Sequence, residues 1–272
     1  MADFDFEQFK RDLLDGVSTA ADAVASVAKD ASGDVLRFKH FNETGRDLFL
    51  SGVVTSHGGN LSISDGASIW ISRTGAMLGR LTPGDVVQVD WNASEKDKEA
   101  SVEMPVHRAI YQALARECLI SGVPFKTKAI VHAHSTYTIF RSFIEDAIVP
   151  VDSEGILVLG TFVPVIIAKQ TIASAEVAAK LDELVKSGGR IAVIRGHGPF
   201  AIADTLEDAY KLISCLEHSA QLLSLFEQTG KKSAVVATDA AVKPAAAANS
   251  TVVADPAVTV DPTEEADSVE GG

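Results

Sequence analysis

From residue 36 to residue 228, short strand-like runs alternate with amphipathic helical stretches. A sheet built from such runs must bury its apolar faces against the helices. That leaves a layered α/β or α+β domain rather than a bundle or a sandwich. The helical stretches fall at 36–51, 103–118, 136–145, 174–187 and 205–228. The last opens on Thr205 as N-cap, with Glu207 and Asp208 in the first turn, where an oxygen acceptor and negative charge meet the free N–H groups. Strands are expected at Ser68–Ser72, Val86–Asp90, Lys128–His134 and Ile191–Ile194, and residues 53–60, VVTSHGGN, read as a glycine-rich loop. A chain of 272 residues can support one large core, and no internal repeat divides it.

The two ends differ from this middle. Residues 1–34 carry eight acids and three bases, with an apolar stripe at Phe6, Phe9, Leu13, Val17, Ala20, Val24 and Val27 that predicts an extra helix on the domain or at a subunit contact. Residues 231–272 contain no aromatic residue, leucine or isoleucine, and are rich in alanine, valine, proline and acids; a disordered tail is expected. The net charge of −13 argues against nonspecific nucleic-acid binding and against an anionic membrane surface. The acidic stretch MADFDFEQFKRDLLDG has no basic region followed by an apolar run, so it is not expected to act as a secretory signal, and no apolar run is long enough to predict a transmembrane helix. Two cysteines, Cys118 and Cys215, both in helical stretches, predict buried thiols in a reducing compartment, and a cytoplasmic location is expected.

Three of the seven histidines form a group. His132 and His134 are two apart on an expected strand, where alternate side chains share a face, so two imidazoles can grip one ion. His197 follows an apolar strand inside Gly196-His197-Gly198, where a third ligand can be aimed. Catalytic zinc sites commonly use three protein ligands and keep one position open. The carboxylate of Glu103, at a helix start, could fill that position and leave it as a base when substrate arrives. The plainer reading of an H-x-H pair is two solvent-facing or core-satisfied histidines, and that reading stays open here. His107 lies one helical turn after Glu103 and could support it; His218 reads as structural.

A second constellation is Gly58-Gly59-Asn60-Leu61-Ser62 with Ser72-Arg73-Thr74-Gly75. Glycines let backbone N–H groups approach an anion, and Asn, Ser and Thr add donors, so a phosphate cradle is plausible, although such runs are also ordinary turns. It is neither a Walker loop nor a dinucleotide fingerprint. No nucleophile elbow and no CxxC pair is present.

The order Gly59-Asn60-Leu61-Ser62, Thr74-Gly75, Ser101-Val102-Glu103 with His107, His132-Ala133-His134 and His197-Gly198 resembles the class II aldolase/adducin family over roughly residues 36–230. The resemblance implies a single three-layer αβα domain around a largely antiparallel central sheet at 35–230, with 1–34 and 231–272 outside it. It implies that His132, His134 and His197 bind one divalent metal per chain, zinc on ligand type, and that Glu103 is the catalytic acid/base and a resting ligand. Gly59, Asn60, Thr74, Gly75 and Ser101 would hold a substrate phosphate. The implied reaction is aldol cleavage of a ketose 1-phosphate to dihydroxyacetone phosphate and an aldehyde through a metal-stabilised enediolate. A decarboxylase or 4-epimerase on the same site is the alternative; the intact ligand set argues against a non-catalytic, adducin-like module. A homotetramer with sites at subunit boundaries is also implied. Two departures stand out. Val102 occupies the place of a second phosphate-binding serine, and the stretch Val149–Gly155 lacks the tyrosine that the family's aldolases use as proton donor. Glu154, or Asp152, would have to take that part.

Overall fold

The computed structural model describes residues 33–230; the N-terminal stripe and the acidic tail lie outside the described residues. The first helix, α1, is described over 33–50. It is followed by β1 Asn60–Ser64, β2 Ile69–Ser72, β3 Val86–Val89, α2 Met104–Ser121, β4 Lys128–His132, α3 Thr136–Ile144 and β5 Ala147–Ile148. Then come α4 Ser153–Leu159, β6 Val163–Ile166, α5 Ala175–Lys186, β7 Ile191–Ile194, β8 Gly198–Ala203 and α6 Leu206–Gln228. The strands form one sheet in the order β3-β2-β1-β4-β8-β7-β6-β5, antiparallel throughout except for the β6–β7 pair.

Alternation along the strands feeds two cores. Leu61, Val131 and Val193 face one side, where Phe41 and Leu48 of α1 and Leu212 and Leu216 of α6 cover them. Ile71, Ile130, Ile194 and Phe200 face the other, against Ile110 and Tyr111 of α2 and Leu181 of α5. The result is three layers, helix–sheet–helix. Each such fully buried side chain contributes about 1.5–3 kcal/mol through removal from water. No helix among the described residues is long and apolar enough to cross a membrane.

Several elements depart from expectation. The loop at 53–60 runs on into β1, whose polar residues Ser62 and Ser64 face inward, so the run NLSIS lacks an apolar period. Ser62 is tolerated in the core because its hydroxyl meets His107 Nδ1 at 2.6 Å and the Tyr111 hydroxyl at 2.8 Å. Strand β4 ends at His132, so His134 does not share its face by strand periodicity. The Gly-His-Gly turn continues directly into β8, which carries Pro199 near its start. Cys215 is buried in α6 as expected, whereas Cys118 in α2 is only half-buried.

Candidate functional site

The sheet register assembles the site. His132, the last residue of β4, pairs with Asn60 of β1 on one side and with Phe200 of β8 on the other. Phe200 stacks on its imidazole with ring centres 4.0 Å apart and planes 14° apart. His132 Nδ1 lies 3.0 Å from the Pro199 carbonyl oxygen; an N–H donated there leaves the Nε2 lone pair facing outward from the strand end.

Two other imidazoles meet that lone pair. His132 Nε2 is 3.1 Å from His134 Nε2 and 3.2 Å from His197 Nε2. His134 reaches this point from the short link between β4 and α3. That link is held by Ala133 N–H donating to Pro199 O, and by Glu217 of α6, whose carboxylate accepts the N–H groups of Tyr137 and Thr138 at the start of α3. His197 sits in the turn between β7 and β8, where its N–H donates to Ile194 O and Gly196 N–H donates to Ser142 Oγ. Glycine is required on both sides of the link. Gly198 has φ +143° and a Cβ there would collide with the Ala133 carbonyl oxygen; Gly59 has φ +79° and its Cβ would come within 2.6 Å of the His132 carbonyl oxygen.

Burial holds all three rings neutral. It pushes His132 well below the usual imidazole range, lowers His134, and brings His197 down to about 4, with the neighbouring imidazoles adding to the effect on His132 and His197. Neutral rings are the ligand form. Tetrahedral ligands at about 2.0–2.1 Å from an ion stand about 3.3–3.4 Å apart, close to the nitrogen spacings seen here. One nitrogen facing two others leaves lone-pair density unsatisfied, which a cation resolves. The three residues therefore fit a divalent metal.

Glu103 is the residue immediately before α2, with Pro105 in the first turn. It is buried, and its Oε1 lies 3.7 Å from His197 Nε2. Both carboxylate oxygens accept the Ala173 N–H at 3.1 Å. Burial raises the carboxyl to about 7, against the opposing hydrogen bond from Ala173. Ala173 is a non-glycine residue at φ +50°, an unfavourable conformation that delivers its N–H to Glu103. Nothing about an alanine in a loop announces that part.

Beside this cluster is a cavity of about 170 Å³. Gly59, Asn60, Thr74, Gly75 and Ser101, the five phosphate-cradle candidates, all line it, together with Glu103, His134 and His197. This lining is tied together by cross-links: Ser101 N–H donates to Ser72 O, Thr74 N–H to Glu99 O, and Leu61 N–H to Ser72 Oγ. Asn60 is buried with its Oδ1 unpartnered. The start of α2 adds the positive end of a helix dipole, which favours an anion. Arg73, of the Ser72–Gly75 run, lines the same cavity, as does His57, which the sequence did not single out.

Two residues do not join it. Glu154 is exposed on α4, where its carboxylate meets the Cys215 thiol; burial, with that carboxylate, pushes the thiol up to about 11. Asp152 caps α4 by accepting the Gly155 N–H and the Ser219 hydroxyl. Neither lines the cavity of its own chain. His107 is fully buried; it meets Ser62 of β1 and packs edge-on against Phe200, the ring that stacks on His132.

The family model described as Class II Aldolase and Adducin N-terminal domain matches residues 39–224. The chain belongs to the class II aldolase and adducin family. Within that family it is similar to an L-fuculose phosphate aldolase of Methanocaldococcus jannaschii, 28% identical over 188 residues, spanning 69% of this chain and 95% of the relative. It is also similar to a 3-oxo-tetronate 4-phosphate decarboxylase of Pectobacterium atrosepticum, 30% identical over 189 residues, spanning 66% of this chain and 79% of the relative. The crystal structure of L-fuculose-1-phosphate aldolase from Thermus thermophilus superposes with a TM-score of 0.62 at 32% identity, covering 72% of this chain and 97% of that one. The mixed, mostly antiparallel three-layer fold is thus the class II aldolase fold.

Proposed function

We propose that the chain is a metal-dependent carbon–carbon lyase that cleaves a ketose 1-phosphate to dihydroxyacetone phosphate and an aldehyde. The observation that carries this reading is the convergence of three neutral imidazoles beside a buried carboxyl, in one cavity with a phosphate cradle. His132, His134 and His197 would hold the ion, zinc on ligand type, with Glu103 within reach as a further ligand at rest. When bound, the ion supplies Lewis-acid stabilisation of the charge that develops on substrate oxygen.

The chain's own residues do the remainder. Gly59, Asn60, Thr74, Gly75 and Ser101 hold the phosphate and so fix which carbon faces Glu103. Val102, exposed at the cavity edge, contributes no donor, so phosphate binding rests on the others. Glu103, held near neutrality by burial, gives a proton to the product carbon in cleavage and removes it in condensation.

Decarboxylation of a phosphorylated 3-oxo acid is the second reading, and the similarity to the tetronate phosphate decarboxylases favours it. It asks the same of Glu103, a proton delivered to carbon, but needs no second group to take a hydroxyl proton. We place the protein in the cytoplasm as a homotetramer. Exposed Leu119, Ile120, Phe140 and Phe143 supply apolar area of the kind subunit contacts bury.

A panel of ketose 1-phosphates, assayed by release of dihydroxyacetone phosphate, and a panel of 3-oxo acid phosphates, assayed by release of carbon dioxide, test the two readings. Aldol cleavage predicts turnover in the first panel. Silence there with turnover in the second overturns it in favour of decarboxylation.

A further inference from the structure

Cleavage of a C–C bond beside a hydroxyl needs two proton movements. One proton leaves the hydroxyl as its carbon becomes an aldehyde, and one arrives at the carbon that keeps the bond's electron pair. Glu103 serves the second. Of the other imidazole and carboxylate side chains that line the cavity among the described residues, His134 and His197 belong to the metal set. His57 remains.

We propose that His57 takes the hydroxyl proton; this rests on the aldolase reading above. His57 is exposed in the loop that leads into β1, two residues before the cradle glycine Gly59. Its Nδ1 lies 3.0 Å from Ser56 Oγ. In the tautomer that donates Nδ1–H to that hydroxyl, the Nε2 lone pair is free to accept. The loop is pressed against the metal cluster: a Cβ on Gly58 would come within 2.8 Å of His134 Nδ1. The base is therefore carried at the edge of the reacting centre, open to solvent, where it can shed its proton between turnovers.

The step balances. The hydroxyl proton passes to His57, the C–O bond becomes C=O, and the C–C bond breaks with its electron pair passing into the neighbouring carbonyl. Glu103 then gives its proton to the carbon, restoring the ketone of the phosphorylated product. His57 leaves the step as an imidazolium and Glu103 as a carboxylate, and water resets both.

The two proton carriers can be separated. Exchange of the carbon-bound hydrogen of dihydroxyacetone phosphate with deuterated water needs Glu103 but no hydroxyl proton. His57→Asn should lower kcat for cleavage by at least about 100-fold, while KM and the exchange rate stay within about threefold of wild type. Equal loss of cleavage and exchange would mark a merely structural role and overturn the proposal. So would unchanged cleavage, or a loss of cleavage that follows Glu154→Gln instead. A wild-type protein that exchanges but cleaves nothing in the panel overturns the aldolase reading itself, which separates the two failures.

Discussion

Glu103 Oε1 stands 3.7 Å from His197 Nε2, while both oxygens of the same carboxylate rest on the N–H of Ala173. One side chain is thus tethered by a strained loop residue and poised against the histidine cluster.

Glu103→Gln should lower turnover by at least about 100-fold, measured as both cleavage and hydrogen exchange, because the amide cannot carry the proton. The same change should stabilise the metal-free protein at pH 8. The folded chain holds the carboxyl at about 7, above its ordinary 4.5, so its contribution is intact below pH 4.5 and is lost as pH rises through about 7. Thermal unfolding should show a gain of the order of 1–2 kcal/mol at pH 8 that vanishes toward pH 4.5, since one unit is worth about 1.4 kcal/mol and partial hydration discounts the remainder.

His107 has the opposite sign. Burial brings it down to about 3 from an ordinary 6.5. Its neutral form is therefore compatible with folding above pH 6.5, and stability is lost as pH falls from there toward 3, by up to about 1.4 kcal/mol per pH unit. Unfolding midpoints between pH 7.5 and pH 5 should fall less steeply in His107→Gln than in wild type. Parallel slopes would show that His107 does not control the acid limb.

Gly198→Ala places a methyl group against the Ala133 carbonyl oxygen at a φ of +143°. The link that aims His134 must then move. Loss of several kcal/mol of stability is expected, and metal affinity should fall at least tenfold in whatever fraction folds, measured by titration of chelator-treated protein. Wild-type affinity would show that the link is not what positions the ligand.

The layered fold was legible because amphipathic helices at 103–118, 174–187 and 205–228 and apolar strands such as Ile191–Ile194 carry their periods in the open. The histidine cluster was legible because its three members sit near strand ends. Even so, the strand argument for His134 does not hold: β4 stops at His132, and it is the link tied by Pro199 and Glu217 that brings the ring round. Strand β1 was hidden because its inward residues are serines, and the partners of Ser62, His107 and Tyr111, lie 45 and 49 residues further along the chain. Ala173 and Phe200 were hidden for a related reason. One acts through its backbone N–H and the other through a stacking contact that only the β4–β8 register creates.

The most direct measurement is divalent metal bound per folded chain, in wild type and in His132→Ala. One ion per wild-type chain, falling below about a tenth in the folded variant, is the expected result. A folded wild-type protein that takes up no divalent ion, or a His132→Ala protein that binds it as tightly, would contradict the convergence of His132, His134 and His197 on a single cation.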